Sequence, residues 1–239
     1  MRPFVKWLEA DYGVMAVENS IAGTILPNLS ILHNAHIQVV GEYYLRIRQN
    51  LMVLPDVELD EIEEVQSHPI ALLQCVDFLD AHRWKLVETE DTALSARYIA
   101  EHKVRHAAAI AGDLAAKLFG LKIVAPDIHS IKNNYTRFLL LRPAGQPIPE
   151  GANKASLCFK TNHEHGSLIK VLRAIENSSI NMSKLQSSPI PSEPWHYMFH
   201  VDMEFDTMEE YEEVIANMKL VSQELHVYGV YKRGLSTEA

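Results

Sequence analysis

The chain has 239 residues, of which 47% are hydrophobic and 22% charged, and its formal net charge is −9. This length suits one large or two ordinary domains with a buried core, and the acidic balance argues against nucleic acid and membrane as partners. Cys75 and Cys158 are too few for a disulfide scaffold and too far apart for a zinc ligand pair. Because charges stand where a signal peptide needs an apolar run, and no apolar window is long enough for a bilayer, we expect a cytoplasmic protein.

The first part of the chain alternates short apolar strands with helical patterns, which is typical of a parallel α/β sheet. It opens on a short amphipathic helical pattern with Phe4, Trp7 and Leu8 at helical spacing. The expected strands are, in chain order, YGVMAV (12–17), IQVVGEYYLRI (37–47), EEVQ (63–66), KLVETE (85–90), AAAIA (107–111) and TRFLLL (136–141). The helices are expected to begin near Asn19 to Ser20, after Ser67-His68-Pro69, at Asp91-Thr92 and at Gly112-Asp113.

A change of composition separates a second part of the chain. Residues 143–153 contain three prolines and two glycines without apolar periodicity, which predicts a linker. Beyond it we expect, in order, strand 155–160, helix 166–178, strand 180–186, strand 195–205, helix 207–223 and strand 224–233. This βαββαβ order predicts a ferredoxin-like module of a size that folds alone.

The polar residues that follow the strands of the first part suggest an anion site. Each cluster by itself is explained as a helix N-cap, but several helix N-termini at the carboxyl ends of strands form a donor-rich crevice. Arg137 would add a bidentate donor, which favours a small organic acid, with one carboxylate or two, as the ligand. The alternative is that Arg137 pairs with a surface Asp or Glu.

Sequence patterns for cofactors and metals are weak. His163 with His165, and His196 with His200, have spacings that a strand could turn toward one ion, but a carboxylate or Cys partner is missing nearby. Glycine-rich dinucleotide and phosphate loops are absent, as is a convincing Ser-His-Asp order. We therefore expect neither a metal nor a cofactor.

Five stretches of the first part resemble the prephenate dehydratase family. They are ADYGVMAVENSIAGT (10–24), VQSHPIALLQC (65–75), DTALSARYIA (91–100), AAIAGDLAAKLFGLKIVA (108–125) and NNYTRFLLL (133–141). The resemblance implies an α/β fold with a two-lobed, periplasmic-binding-protein-like (type 2) catalytic domain at 1–142. It further implies that residues 154–239 form a ferredoxin-like ACT regulatory domain after the linker at 143–153.

The resemblance also implies a reaction and a set of residues. Prephenate would lose hydroxide and carbon dioxide and become phenylpyruvate in L-phenylalanine biosynthesis, a step that needs help for a poor leaving group but no cofactor. We assign that help to Thr136, with Glu18 as a rival acid if burial raises its pKa; otherwise Glu18 is a structural carboxylate. The remaining implied residues are Arg137, Asn19, Ser20, Ser67, Thr92 and Asn133, which would bind the substrate, and Phe138, which would pack beneath it.

A second implied site binds an effector. Gly166, Ser167 and Leu168 stand at the place of the family's Gly-Ala-Leu motif, and an ACT dimer would bind L-phenylalanine there as feedback inhibitor. The segment Gln186-Ser187-Ser188-Pro189 replaces the family's Glu-Ser-Arg-Pro, so the loss of a charged pair would weaken feedback or change its specificity. Side-by-side pairing of such domains makes a dimer or tetramer the expected assembly.

Two alternatives stay open. Arogenate, which differs from prephenate only by an amino in place of a keto group, would suit the same site. The chain also begins after the family's usual first strand and glycine-rich turn, which favours either a start assigned too late or a catalytically impaired protein that senses an amino acid through its ACT domain.

Overall fold

A computed structural model describes residues 10–234 of the protein and divides the chain into two compact units. Within the described chain, the first unit contains residues 10–19, 23–45 and 136–234, and the second contains residues 20–22 and 46–135. The helix expected around Phe4, Trp7 and Leu8 lies outside the described residues. Among residues 10–234, no helix combines the length and the apolar character that crossing a membrane requires.

The regular elements follow the alternation expected from the sequence. The strands are β1 (Gly13–Asn19), β2 (Gly23–Thr24), β3 (Ile37–Arg46), β4 (Asn50–Val53), β5 (Glu64–Ser67), β6 (Lys85–Glu88), β7 (Ala107–Ala111), β8 (Lys122–Ala125), β9 (Tyr135–Pro143), β10 (Lys154–Lys160), β11 (Asn181–Pro189), β12 (Tyr197–Glu204) and β13 (Glu224–Tyr231). The α-helices are α1 (Leu26–Asn34), α2 (Pro69–Gln74), α3 (Val76–Leu79), α4 (Thr92–His102), α5 (Asp113–Phe119), α6 (Ser167–Glu176) and α7 (Met208–Val221).

The first unit contains a sheet of order β2-β1-β9-β3. Strand β1 runs antiparallel to β9, so that Glu18 lies opposite Arg137 and Asn19 opposite Thr136. The expectation of a helix starting near Asn19 to Ser20 is wrong, because the chain first turns back through Gly23, whose φ of 83° suits glycine, to form β2.

The second sheet of the first unit is the ferredoxin-like module, the segment from β10 to β13. Its antiparallel strands have the order β11-β12-β10-β13, and α6 and α7 pack on the sheet around Leu157, Phe159 and Val214. The predicted βαββαβ order is confirmed. Other residues of this module share a hydrophobic cluster with β1, α1 and β9: Cys158, Met198, Tyr228 and Tyr231 pack with Val17, Leu29 and Leu139.

The second unit is built on a sheet of order β6-β5-β7-β4-β8. Strand β5 is parallel to β6 and β7, as expected, but β4 is antiparallel to β7 and β8, so the sheet is mixed. Because β5, β6 and β7 run the same way, α2, α4 and α5 all begin at one edge of this sheet. The single helix expected after Ser67-His68-Pro69 is divided at Cys75 into α2 and α3.

Candidate functional site

The last residue of β1 and the second residue of β9 bring an amide and a hydroxyl together. Asn19 Nδ2 donates a hydrogen bond of 3.1 Å to Thr136 Oγ1, and the two residues are register partners in the antiparallel pair. Since the Thr136 oxygen accepts this bond, the hydroxyl hydrogen is available for donation in another direction. The structure thus joins two residues predicted for the site, although they are 117 positions apart in the sequence.

Glu18, the neighbour of Asn19, forms an ion pair. Its carboxylate lies 2.7 Å from Nζ of Lys184 in β11, and the same Nζ donates to Thr24 Oγ1 at 3.1 Å. The carboxylate of Glu18 is thus engaged by a lysine within the protein. The contact therefore favours the structural role for Glu18 over the role of an acid.

The guanidinium of Arg137 is buried and paired within the protein. Its Nε donates to Glu42 at 2.7 Å, its Nη1 pairs with Asp202, and its Nη2 donates to the Tyr231 hydroxyl at 3.1 Å. Burial alone would lower the pKa of Arg137, but Asp202, Tyr231 and Glu42 outweigh it and raise this pKa. The prediction that Arg137 binds a substrate carboxylate is corrected, because its nitrogens on all three arms are engaged by internal acceptors.

Asp202 is held in its charged form by the same contacts. Burial would raise its pKa, but the guanidinium of Arg137 and a hydrogen bond from the Ser156 hydroxyl lower the pKa below its usual value. The pair is extended by Lys154, whose Nζ lies 3.0 Å from Glu42 Oε1. The alternative of a surface partner for Arg137 is also wrong, because Glu42 and Asp202 are both buried.

Ser20 and Asn133 come together in the second unit. The Ser20 hydroxyl donates to the Asn133 carbonyl oxygen at 3.3 Å and accepts from the Tyr135 backbone N–H at 2.9 Å. Both Ser20 and Asn133 are exposed. Ser20 is thus the connector of two chain segments, and it is not the helix cap that the sequence suggested, because α1 begins only at Leu26.

Ser67 and Thr92 have different surroundings from those predicted. Ser67 is the last residue of β5, and its fully buried hydroxyl donates to the Ile110 carbonyl oxygen at 2.7 Å, so it serves the sheet and not a ligand. The cap of α2 is His68, whose Nδ1 accepts from the Ile70 N–H. Thr92 is half-buried as the first residue of α4, and the cap there is Asp91.

Phe138 lies on β9 opposite Ala16 of β1 and is half-buried. In an antiparallel strand, neighbouring side chains point to opposite faces, so Thr136 and Phe138 share one face and Arg137 takes the other. This alternation places the predicted packing residue beside the hydroxyl and directs Arg137 toward Glu42 and Asp202.

A pocket of about 500 Å³ lies in the ferredoxin-like module at the start of α6. Gly166, Ser167 and Leu168, the predicted effector residues, line it together with an aromatic wall of Trp195 and Tyr197. Gly166 has a φ of 80°, which a side chain would strain. Trp195, which sequence reasoning did not single out, is 79% exposed at this wall.

The predicted partners Gln186, Ser187, Ser188 and Pro189 are not among the residues that line this pocket. They form the end of β11, where the Gln186 amide donates to the Ser187 carbonyl oxygen. The Ser188 hydroxyl is buried and lies 2.9 Å from Nε2 of His200. Ser188 is therefore not presented to a ligand within this one chain.

The histidines considered as metal ligands separate into two settings. His196 contacts the ring of His163, with centroids 5.1 Å apart, whereas His200 is buried between Ser188 and the Tyr228 hydroxyl. Burial lowers the pKa of His200 to about 4. Within residues 10–234, no group of three His, Cys, Asp or Glu side chains is arranged to hold a metal ion.

Both cysteines are buried free thiols. Burial raises the pKa of Cys75 to about 12 and that of Cys158 to about 11. Thiols with raised pKa values are poor nucleophiles at neutral pH, so these contacts give the cysteines a packing role.

Sequence reasoning missed the charged residues that surround Glu18 and Arg137. Lys184, Asp202 and Glu42 lie on β11, β12 and β3, and the local sequence offers only a weak signal for them: a charge within an apolar strand. Such charges are rarely buried without a partner, so a buried acid in β12 implies a basic residue elsewhere in the chain.

A comparison with known proteins identifies relatives. The family model described as prephenate dehydratase matches residues 4–146. The Arabidopsis thaliana protein named arogenate dehydratase/prephenate dehydratase 2, chloroplastic, is 34% identical over 239 residues, covering 95% of this chain and 62% of that protein. The chain spans about three fifths of the length of the curated relatives it matches, with 59%, 64% and 62% for three of them.

Solved structures agree with this fold. Prephenate dehydratase from Arthrobacter aurescens, solved in complex with L-Phe, is 28% identical with a TM-score of 0.83, covering 94% of this chain and 76% of that one. A structure described as GqqA, a novel type of quorum quenching acylases, is 26% identical with a TM-score of 0.84, covering 94% and 82%. The predicted α/β class, a type 2 periplasmic-binding-protein-like domain followed by a ferredoxin-like module, is confirmed. The match over residues 4–146 and these likenesses place the chain in the prephenate dehydratase family.

Proposed function

We propose that the protein catalyses the decarboxylative dehydration of prephenate to phenylpyruvate, a lyase step of L-phenylalanine biosynthesis in the cytoplasm. The observation that carries the proposal is the hydrogen bond from Asn19 to Thr136, which joins the two motifs ENS and TRF at the ends of antiparallel strands. The membership of the family supports it.

The role of Thr136 follows from this bond. The ring carbon–hydroxyl bond breaks as the electron pair of the breaking carbon–carboxylate bond enters the ring, which becomes aromatic while carbon dioxide leaves. The hydroxyl departs most easily when a donor stabilises its developing negative charge. Thr136, whose oxygen accepts from Asn19, is such a donor, and the bond that it accepts polarises its own O–H group.

The carboxylates of the substrate need other donors than Arg137, because its Nε, Nη1 and Nη2 are engaged by Glu42, Asp202 and Tyr231 within the first unit. The reaction requires neither metal nor redox cofactor, so we propose none.

The direct test measures phenylpyruvate formation from prephenate by the purified chain. We expect turnover by the wild type, with kcat reduced by roughly 10²-fold to 10⁴-fold in Thr136→Ala, the range typical of a lost proton donor. Thr136→Val, of nearly the same shape, is the matched variant that also lacks the hydroxyl, and Thr136→Ser should keep most of the turnover. A folded Thr136→Ala protein with full turnover would overturn the assignment.

Arogenate is a second candidate substrate, because the relative from Arabidopsis thaliana is named for both activities. In this proposal, prephenate and arogenate would bind to the same residues. Parallel measurement of kcat/KM for prephenate and arogenate decides between them. If neither is turned over by a folded chain, the remaining alternative is the protein that senses an amino acid.

For regulation, we propose that L-phenylalanine binds in the pocket of Gly166, Ser167 and Leu168. The apolar wall with Trp195 suits an aromatic side chain, and the structure from Arthrobacter aurescens is described as a complex with L-Phe. Binding should quench or shift Trp195 fluorescence and should be lost in Gly166→Val, which crowds the pocket and strains the φ of 80°. Unchanged binding in Gly166→Val and Ser167→Ala would refute this placement. A dimer or tetramer, measured by light scattering, belongs to the same proposal.

A further inference from the structure

Four charged side chains from four strands form a closed arrangement in the first unit, called here the charge quartet: Glu18 (β1), Arg137 (β9), Lys184 (β11) and Asp202 (β12). Glu18 and Arg137 are register partners in one sheet, and Lys184 and Asp202 are register partners in the other. Ion pairs join the sheets, because Glu18 lies 2.7 Å from Lys184 and Arg137 pairs with Asp202.

The charge quartet is shielded from solvent to different degrees. The side chains of Arg137 and Asp202 are 6% and 7% exposed, that of Lys184 is 11% exposed and that of Glu18 is 35% exposed. Attraction between charges weakens less in such surroundings than at an open surface, and loss of one partner leaves the other charge buried without compensation. The four strands are therefore restrained relative to one another.

Other polar groups fix the orientation of the buried pair. Glu42 accepts from Arg137 Nε at 2.7 Å, and the Tyr231 hydroxyl accepts from Nη2 at 3.1 Å. The Ser156 hydroxyl donates to Oδ1 of Asp202, whereas Arg137 donates to Oδ2. Rotation of the guanidinium would remove one donor from each of these buried acceptors, which is costly.

The position of the charge quartet in the sequence connects it with the proposed chemistry. Glu18 precedes Asn19, and Arg137 follows Thr136, so the ion pairs flank both members of the hydrogen-bonded pair. Lys184 and Asp202, by contrast, belong to the ferredoxin-like module. A displacement of β1 against β9 by a fraction of an ångström would alter the 3.1 Å bond between Asn19 and Thr136.

We propose that Lys184 and Asp202 are positioning residues for the dehydratase reaction: from the ferredoxin-like module they hold the strand ends that carry Asn19 and Thr136. The inference rests on the proposed function, since it gives these residues a role in that reaction. Neither residue acts on the substrate; each acts through Glu18 or Arg137. The module thus contributes to the catalytic geometry even without an effector.

The test compares Lys184→Met, which removes the charge and keeps much of the length, with Lys184→Arg, which keeps the charge. Lys160→Met is the matched control, because Lys160 is 15% exposed and pairs at 2.5 Å with Glu193 within the same module. Two readouts are taken on each full-length protein: kcat and KM for prephenate, and amide hydrogen exchange of peptides covering β1, β9 and, for reference, β7.

We expect Lys184→Met to lower kcat by about 10-fold with KM within about 2-fold, because misplaced catalytic groups lose mainly transition-state stabilisation. Exchange should accelerate in the β1 and β9 peptides and stay unchanged in β7. Lys184→Arg should keep kcat and the exchange of β1 and β9 close to the wild-type values. Lys160→Met should change neither kcat nor exchange.

Wild-type exchange and kcat in Lys184→Met would overturn the inference, as would an equal acceleration in β7 or in Lys160→Met, which would indicate general destabilisation. The proposed function fails separately, if the wild-type protein does not turn over prephenate. Hydrogen exchange then still shows whether Lys184 restrains β1 and β9. If exchange of these strands is not faster in Lys184→Met than in the wild type, the positioning role is overturned.

Discussion

The side-chain nitrogen of Asn19 lies 3.1 Å from the hydroxyl oxygen of Thr136, where the end of β1 meets the start of β9. Antiparallel register places these two short side chains opposite each other, and the ion pairs beside them involve neighbours on the opposite faces of the strands. The arrangement makes Asn19 as informative a target for mutation as Thr136 itself.

Replacing Asn19 by Ala should lower kcat for prephenate by roughly 10-fold to 100-fold, less than the ~10²-fold to 10⁴-fold expected for loss of a proton donor. The Thr136 hydroxyl would lose the bond that orients it, while the hydroxyl itself stays. Steady-state kinetics with Asn34→Ala as control measures this effect, since Asn34 is an exposed amide bonded only locally to Ser30 at 2.7 Å. Full turnover in Asn19→Ala would contradict the orienting role.

Replacing Arg137 by Met should lower the free energy of unfolding by about 3 to 5 kcal/mol, because Glu42 and Asp202 would be left as buried acids beside a single cation, Lys154. Urea denaturation followed by circular dichroism provides the measurement. Arg105→Met, which removes a surface pair with Asp56, should change stability little. Equal effects of the two substitutions would show that the buried cluster does not stabilise the fold.

Stability should depend on pH through His200. Burial lowers its pKa to about 4 in the folded chain, from about 6.5 when unfolded. Between these values the unfolded chain binds a proton that the folded chain does not, so stability is complete above pH 6.5 and is lost as the pH falls toward 4. The loss attributable to His200 is on the order of 3 kcal/mol.

The measurement is urea denaturation at several pH values between 7 and 4.5. In His200→Gln the dependence on pH should become much shallower in this window. His102→Gln, at an exposed helix position, should keep the slope of the wild type. Identical slopes in all three proteins would show that another group titrates on unfolding.

A methyl group at Gly229 should destabilise the first unit. A Cβ atom there would lie 1.9 Å from the carbonyl oxygen of Val39 in β3, and this is backbone that cannot rotate away. We expect Gly229→Ala to cost roughly 2 kcal/mol or more, in the range of overpacked cores. Gly112→Ala is the control, because its nearest neighbour is 4.0 Å away. A stable Gly229→Ala protein would contradict the close contact between β13 and β3.

Sequence patterns predicted the structure best where a residue acts only on its near neighbours in the chain. The apolar runs around Val39, Ala109 and Leu139 predicted strands correctly, and Asp91 predicted the start of α4, because burial and capping act over a few residues. Strands β4 and β8 were missed, since four residues such as Asn50–Val53 give too short a pattern to separate a strand from a loop.

The candidate site was harder to predict. Asn19 and Ser20 suggested a cap because their side chains favour both caps and turns, and only the path of the chain through Gly23 distinguishes the two. Arg137 suggested a ligand because its partners Glu42 and Asp202 are 95 and 65 residues away. Sequence spacing does not show which residues meet over such separations. A charged interaction of Arg137 could therefore be predicted from the sequence, but its partners could not.

The two compact units differ in when they can form during synthesis of the chain. Residues 46–135 supply nearly all of the second unit, whereas the first unit needs β1 and β3 from the beginning of the chain and β9 to β13 from its end. At roughly 5 to 20 residues per second, the ribosome takes about 10 s or more to deliver residues 46–234 after β1 and β3 have emerged. During that delay β1 and β3 lack β9, the strand that lies between them in the sheet, so their apolar residues Val17 and Val39 stay exposed to non-native contacts until β9 emerges.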